Sequence, residues 1–153
     1  AGHRGQQVAE ARGIVAIDNS KATNPHAADS ALAGHDSVIW VAGGQLKGAE
    51  VDDLIARHAH RLKAVALMGV DRNIIRESVE KHAPGVPIFV TDDTDPQSAM
   101  DAVCAWAVTQ ASSGDAIVLA PAAASLDMYT GMGQRGVLFA ESVSAHLGGV
   151  APK

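Results

Sequence analysis

Three short segments of the sequence carry residues that could bind an anion, and each follows a run of apolar residues. The first segment covers residues 18–24, Asp-Asn-Ser-Lys-Ala-Thr-Asn, and leads into Pro25. An Asn followed by Pro is typical of a helix N-terminus, where free backbone N–H groups and a partial positive charge attract anions. Lys21 and Thr23 would add a charge and a hydroxyl there. An ordinary helix-capping connection explains the same residues about equally well.

The second segment, residues 43–48, reads Gly-Gly-Gln-Leu-Lys-Gly. Paired glycines allow a ligand to approach the backbone closely, and Lys47 would supply a point charge for a carboxylate or phosphate. The spacing is not that of a phosphate-binding P-loop, which needs Gly-x-x-x-x-Gly-Lys followed by Ser or Thr. A plain turn is the competing interpretation.

The third segment, residues 120–129, reads Ala-Pro-Ala-Ala-Ala-Ser-Leu-Asp-Met-Tyr. The Ser125 hydroxyl could donate a hydrogen bond to a carboxylate. The Gly-x-Ser-x-Gly elbow of hydrolase nucleophiles is missing, which argues against a Ser-His-Asp triad.

Two further patterns have simpler explanations. Residues 131–136 match Gly-x-Gly-x-x-Gly, but no predicted strand immediately precedes them and too little chain follows for a dinucleotide fold. Asp95 stands before Pro96 as a helix N-cap, so the acidic run at residues 92–95 is not interpreted as a metal site. We predict no metal ligand in this chain.

The elements that must position these segments alternate regularly along the chain. Short apolar runs predict strands at residues 13–18, 37–42, 64–68, 87–90 and 116–119. Helical spacing and capping signals predict helices at residues 25–33, 51–62, 73–81, 96–110 and 134–147. Residues 6–11 would add an antiparallel edge strand. The order indicates a doubly wound, Rossmann-like α/β fold with a mostly parallel sheet of about six strands and helices on both faces. Ligands of such folds bind at the carboxyl ends of the strands.

Composition limits the class of protein. A length of 153 residues favours a single domain over residues 1–153, and residues 148–153 are predicted to be a disordered tail. The net charge of −5 argues against nucleic-acid binding. No apolar run is long enough to span a membrane, and no signal peptide is recognisable. The single cysteine, Cys104, favours a reducing compartment and hence a cytoplasmic location.

Several motifs resemble those of one protein family. The Ser20-Lys21-Ala22-Thr23-Asn24 run resembles the SKATN motif of the glutamate-adding Mur ligases. Three other stretches agree with that family in order and spacing: Gly43-Gly44-x-x-Lys47, the Pro121-to-Asp127 loop, and Gln134-Arg135-Gly136 followed by Phe139. His3-Arg4 resembles the pair that opens the family's C-terminal domain. The resemblance covers nearly the whole chain, from His3 to about Leu147.

The resemblance implies the C-terminal domain of a three-domain, ATP-dependent ligase, completed by N-terminal and central domains of the same polypeptide. The implied reaction adds D-glutamate to UDP-N-acetylmuramoyl-L-alanine through an acyl phosphate, in the synthesis of peptidoglycan precursors. This domain would bind D-glutamate and close over the ATP site, and it would be inactive alone. The Mg²⁺ ligands would lie on the central domain.

The resemblance also implies roles for individual residues. Five positions would bind D-glutamate: Thr23, Lys47, Ser125, Leu126 (through its backbone) and Met132. Three positions would face the nucleotide, with Lys21 also catalytic: Arg4, Asn19 and Lys21. Asn19 replaces the Asp usual in the family, so it can donate a hydrogen bond but carries no charge. Met132 replaces a Phe and leaves the pocket wall apolar but more flexible. The alternative is a stand-alone Rossmann-like module that binds a nucleotide or a protein without catalysis.

Overall fold

A computed structural model describes residues 2–148 of the chain and gives the order of its strands and helices. The strands are β1 (Gln6–Ala11), β2 (Ile14–Asp18), β3 (Val38–Gly43), β4 (Leu62–Met68), β5 (Ile88–Val90) and β6 (Ala116–Leu119). The helices are α1 (Pro25–Ala33), α2 (Asp52–His58), α3 (Arg72–His82), α4 (Pro96–Gln110) and α5 (Met132–Leu147).

The strands form one sheet in the order β1-β2-β6-β3-β4-β5. The edge strand β1 runs antiparallel to β2, and every other pair is parallel. Helices α1, α2 and α3 pack on one face, whereas α4 and α5 pack on the other. The predicted doubly wound fold with one antiparallel edge strand is therefore confirmed.

The central strand β3 is buried along its whole length, because helices cover both faces of the sheet. Trp40 in β3 is fully buried, and its indole N–H donates to the carbonyl oxygen of Ala120 at 2.7 Å. This bond fixes the carboxyl end of β6 against β3. Cys104 is also buried, and burial raises the pKa of its thiol to about 12, as expected of a structural cysteine.

Two predicted helix caps are confirmed. The Asn24 side chain accepts a hydrogen bond from the Ala27 N–H, and Asp95 accepts one from the Ser98 N–H, each at 2.9 Å. The Ser98 N–H also holds the pKa of Asp95 below its usual value. Among residues 2–148, no group of three His, Cys, Asp or Glu side chains is placed to hold a metal ion.

Two predicted helix boundaries are wrong by two residues or more, whereas the others agree with the structure to within one residue. Helix α2 ends at His58 rather than at residue 62, because a turn closed by Arg61 N–H and the His58 carbonyl turns the chain into β4. Leu62 fits the apolar spacing of α2, yet it pairs with Val38 as the first residue of β4. Helix α5 begins at Met132 rather than at residue 134.

Helix α5 starts two residues earlier than predicted, because the Gln134 side chain caps the backbone that precedes the helix. Its side-chain oxygen accepts a hydrogen bond from the Thr130 N–H at 2.8 Å, which resembles the reciprocal half of a capping box. At the other end, Gly148 caps α5 in a left-handed conformation. The rest of the predicted tail, residues 149–153, lies outside the described residues. No helix within residues 2–148 is long and apolar enough to cross a membrane.

Candidate functional site

The three anion-binding segments lie side by side, because β2, β6 and β3 are neighbours in the sheet. They are the β2–α1 loop (residues 19–24), the β6–α5 loop (residues 120–131) and the β3–α2 loop (residues 44–51). The Ala122 N–H donates to the Ala22 carbonyl at 3.0 Å, joining the first two loops. Gln45 and Ala124 exchange two backbone hydrogen bonds of 2.9 Å, joining the second and third. The loops therefore form one continuous surface at the carboxyl edge of the sheet.

Two glycines make this close approach possible. Gly43 and Gly44 have φ angles of +125° and +138°, a region that side chains disfavour. A Cβ atom on Gly43 would lie 1.8 Å from the Met68 carbonyl oxygen, and one on Gly44 would lie 2.1 Å from the Ala124 carbonyl oxygen. The Gly-Gly pair is thus required for the packing of the loops, whatever ligand they bind.

Replacing Gly44 by alanine is expected to lower the free energy of unfolding by about 2–4 kcal/mol, because it adds both backbone strain and a clash with Ala124. Gly34→Ala is the matched control, since Gly34 has a φ of −77° and open space around its missing side chain. Urea unfolding monitored by the fluorescence of the two tryptophans measures both variants. The control should change stability by no more than about 0.5 kcal/mol, and equal losses in the two variants would contradict the packing argument.

Lys47 is held at the tip of the β3–α2 loop. Its backbone is in the left-handed region, with a φ of +55°, and its side chain is exposed. Asp71, at the start of α3, supports this loop: its carboxylate accepts the Leu46 N–H at 2.7 Å, and its own N–H donates to the Gly44 carbonyl at 3.0 Å. Asp71 was not predicted as a site residue from the sequence, although its position just after a buried strand was a usable signal.

Ser125 and Leu126 occupy a turn of the β6–α5 loop. Ser125 is buried, and its carbonyl accepts hydrogen bonds from the Met128 and Tyr129 N–H groups at 3.2 and 2.8 Å. Leu126 points away from the core with 67% of its surface exposed. Asp127 ties this turn to the next loop, because its carboxylate accepts the Val70 N–H at 2.9 Å. This link depends on the tertiary structure and was not predictable from the sequence.

The β2–α1 loop is anchored at its buried acidic start. Asp18 is only 1% exposed, and its carboxylate accepts the Ser20 N–H at 2.9 Å and contacts the His3 ring. The Lys21 N–H donates to the His3 carbonyl at 3.2 Å. The N-terminal His3-Arg4 pair is thereby brought onto the loop that carries Asn19 and Lys21.

A cleft of about 620 Å³ opens beside this loop, along α1. Its lining includes all three residues predicted to face a nucleotide: Arg4, Asn19 and Lys21. Its apolar walls come from Ile17 and from alanines of the loop and α1. None of the five residues predicted to bind D-glutamate lines this cleft. The two predicted groups therefore lie on different parts of the same edge of the sheet.

The cations of the site have no acidic partner in the described part of the chain, unlike four other basic residues of the molecule. Within residues 2–148, no carboxylate forms an ion pair with Arg4, Lys21 or Lys47. Four basic residues elsewhere each pair with an Asp or Glu: Arg57, Lys63, Arg72 and Arg76. A chain with a net charge of −5 thus keeps unpaired positive charge at one edge of its sheet, which favours an anionic ligand there.

Arg135 lies beneath the loops and is the largest buried polar side chain of the site. It is fully buried in the first turns of α5, and its guanidinium donates to Ser20 and to the Ala123 carbonyl. In the sequence, Arg135 is recognisable only as part of the Gln134-Arg135-Gly136 motif at the start of a predicted helix. Its burial could not be predicted, because an arginine near a helix N-terminus is usually exposed.

Comparison with known proteins first identifies a matching family. The family described as "Mur ligase, glutamate ligase domain" matches residues 3–123. That range contains the β2–α1 and β3–α2 loops complete and ends within the β6–α5 loop.

Close relatives extend the similarity over the remaining loop. Proteins named UDP-N-acetylmuramoylalanine–D-glutamate ligase are 69% identical in Corynebacterium diphtheriae, over 96% of this chain, and 59% identical in Corynebacterium efficiens, over 100% of it. The enzyme of that name from Streptomyces avermitilis is 48% identical over 92% of the chain. The matched regions make up only 31%, 32% and 30% of these relatives, so the chain spans about a third of their length.

Two solved structures share the fold at low sequence identity. UDP-N-acetylmuramate-alanine ligase from Thermotoga maritima superposes with a TM-score of 0.57 and 12% identity, over 94% of this chain and 30% of that one. Folylpolyglutamate synthase from Mycobacterium tuberculosis, solved with ADP and AMPPCP, gives a TM-score of 0.55 and 13% identity, over 97% and 32% of the two chains. At these identities the similarity concerns the fold alone.

Proposed function

The chain belongs to the Mur ligase family, whose glutamate ligase domain it matches, and we propose that it is the amino-acid-binding part of an ATP-dependent ligase. The ligase would join D-glutamate to UDP-N-acetylmuramoyl-L-alanine during the synthesis of peptidoglycan precursors. Its relatives carry the corresponding enzyme name. Because the chain spans about a third of their length, N-terminal and central domains of the same polypeptide would complete the active site.

The observation that supports this proposal most strongly is the convergence of three loops that carry unpaired donors. D-glutamate has two carboxylates, so it needs two separate cradles of charged or hydrogen-bonding groups. Thr23 and Lys47 would hold one carboxylate. Ser125, with the Leu126 backbone, would hold the other, and Met132 would line the pocket between them. The bonds between the Gln45 and Ala124 backbones fix the spacing of the two cradles.

The cleft beside α1 would receive the nucleotide. Its volume of about 620 Å³ is within the usual range for small-molecule sites. Arg4 and Lys21 would approach the phosphates, and Asn19 would contribute a neutral hydrogen bond. ATP is a substrate in this proposal, and consumption of ATP fits a cytoplasmic protein.

The chemistry assigned to these residues is positioning and charge stabilisation. An oxygen of the acceptor's alanyl carboxylate attacks the γ-phosphorus of ATP and ADP leaves, which gives an acyl phosphate. The D-glutamate amine then attacks the acyl carbon, phosphate leaves and the nitrogen loses a proton. Lys21 would stabilise the charge on the transferring phosphoryl group, and Lys47 and Ser125 would orient the amine by fixing the carboxylates.

Mg²⁺ would accompany the nucleotide, but this part of the protein does not suit it. Within the described residues no cluster of carboxylates and histidines has the arrangement of a metal site. The metal ligands would therefore come from the central domain.

The test is a ligase assay on the full-length protein that contains this chain. Purified enzyme is mixed with ATP, Mg²⁺, UDP-N-acetylmuramoyl-L-alanine and either D- or L-glutamate, and the product is identified by mass spectrometry. We expect amide product and phosphate release with the D-isomer only. Nucleotide binding without amide formation would instead support a binding module, and equal use of L-glutamate would exclude the proposed substrate.

A further inference from the structure

Arg135 makes three hydrogen bonds that each end on a loop of the site. Its Nε–H donates to the Ser20 hydroxyl at 3.0 Å, one Nη–H donates to the Ser20 carbonyl at 2.8 Å, and the other donates to the Ala123 carbonyl at 3.0 Å. The Ser20 hydroxyl in turn donates a hydrogen bond to the Met132 carbonyl at 2.6 Å. One guanidinium thus joins the β2–α1 loop, the β6–α5 loop and the start of α5.

Each partner of Arg135 adjoins a residue that the proposed function uses. Ser20 lies between Asn19 and Lys21 in the chain and three residues before Thr23. Ala123 is two residues before Ser125. The planar fork of an arginine fixes the directions of its partners, which a flexible lysine cannot do.

The backbone next to Ala123 needs such a restraint. Ala122 has a φ of +59°, a conformation that costs an L-residue energy and persists only where surrounding contacts determine it. The Ala122 N–H donates to the Ala22 carbonyl, and the carbonyl of the next residue, Ala123, accepts a hydrogen bond from Arg135. One bond thus holds the strained residue itself and the other holds the residue that follows it.

The charge of Arg135 is not neutralised by direct contact. It is fully buried, and its hydrogen-bond partners are all neutral oxygens. No carboxylate within residues 2–148 forms an ion pair with it. Burial lowers the pKa of Arg135 to about 10, so the group remains protonated near neutral pH. The nearby carboxylates of Asp18 and Asp127 act against this lowering of the pKa and offset part of the buried charge.

We propose that Arg135 is a positioning residue for the amino-acid substrate, which locks the β2–α1 and β6–α5 loops at the separation that the two carboxylates of D-glutamate require. The inference rests on the proposed function, because it assumes that these loops bind D-glutamate. Arg135 touches no substrate in this arrangement and acts only through Ser20 and Ala123.

The test compares three variants of the full-length enzyme. Arg135→Lys keeps the charge and removes the fork, whereas Ser20→Ala removes only the hydroxyl that joins Arg135 to Met132. Phe139→Leu is the control, since Phe139 is fully buried one turn further along α5 and belongs to the apolar core on that face of the sheet, with no polar group to bond a loop. The measurements are thermal unfolding, kcat, and the KM values for D-glutamate and for the UDP-linked substrate.

We expect Arg135→Lys to raise the KM for D-glutamate by about 10-fold or more, and Ser20→Ala to raise it by about 3-fold, because small displacements of binding groups have large kinetic effects. The KM for the UDP-linked substrate should change by less than about twofold, since no residue of this chain is assigned to it. Phe139→Leu should lower the unfolding temperature and leave both KM values within about twofold of the wild type.

Other outcomes would overturn the inference in distinguishable ways. A folded Arg135→Lys enzyme with the wild-type KM for D-glutamate contradicts a positioning role. If Arg135→Lys fails to fold, an unchanged KM in Ser20→Ala contradicts it instead. Parallel changes of all kinetic constants in Arg135→Lys and Phe139→Leu would mean that Arg135 contributes only stability. Failure of the wild-type enzyme to use D-glutamate refutes the proposed function before any variant is compared.

Discussion

Replacing Lys47 by alanine in the full-length enzyme is expected to raise the KM for D-glutamate by about 30- to 150-fold. A charge-assisted hydrogen bond to a carboxylate contributes about 2–3 kcal/mol, and each 1.4 kcal/mol corresponds to a tenfold change in affinity. Lys47 is exposed and has no acidic partner among residues 2–148, so its charge is available to a ligand. The KM for ATP should change by less than about threefold, because Lys47 does not line the cleft beside α1.

The backbone at residue 47 makes alanine a suitable replacement. The φ of +55° is disfavoured for both residues, since each carries a Cβ atom, and the substitution therefore removes the charge without releasing much strain. Glycine at this position would also relax the strained backbone, so a change in KM would combine the loss of the charge with a change in the loop. Lys47→Arg, which keeps the charge, should show an intermediate KM.

Steady-state kinetics with D-glutamate varied at saturating ATP and acceptor measures the effect. Lys81→Ala is the matched control, because Lys81 is an exposed lysine in the last turn of α3, away from the loops of the site. A Lys47→Ala enzyme whose KM and kcat for D-glutamate equal those of the Lys81→Ala control would remove Lys47 from the substrate site.

The sheet and the neighbouring positions of the three loops follow from local patterns in the sequence. The run Val38–Val41 is continuously apolar, and Asn24-Pro25 and Asp95-Pro96 mark helix starts that the structure confirms. Local patterns failed at Leu62, where one apolar residue suits both the face of a helix and the start of a buried strand. Pairing with Val38 decides in favour of the strand, and that contact is distant in sequence.

The contacts that support the loops could not be predicted either, because they also join residues that are distant in sequence. Arg135 and Ser20 are 115 positions apart in sequence, and Asp71 reaches the backbone of Leu46 across 25 positions. Charged and small polar residues of this kind are usually exposed. Their burial is decided by unpaired backbone groups of neighbouring loops, which become known only when the fold is known.

Replacing Lys21 by alanine is expected to lower kcat by about 100- to 1000-fold, which is the usual cost of removing one group that stabilises charge in a transition state. The geometry of its backbone supports this large effect. The Lys21 N–H donates to the His3 carbonyl at 3.2 Å, its own carbonyl accepts the Thr23 N–H at 2.9 Å, and the neighbouring Ser20 and Ala22 are buried. Lys21 lines the cleft and its backbone is fixed by these bonds, so we expect little reorganisation when charge develops on the phosphoryl group.

The Lys21 variant should show the opposite kinetic pattern to the Lys47 variant. Lys21→Ala should reduce acyl phosphate formation, measured as ADP release in a rapid-quench experiment before D-glutamate is added, and change the KM for D-glutamate by less than about threefold. Lys47→Ala should leave that first step near the wild-type rate, because D-glutamate has not yet reacted. Equal effects of the two substitutions on both steps would contradict separate roles for the cleft and the loops. The two lysines lie on loops after β2 and β3 with β6 between them, and this separation is the physical basis for assigning them to different steps.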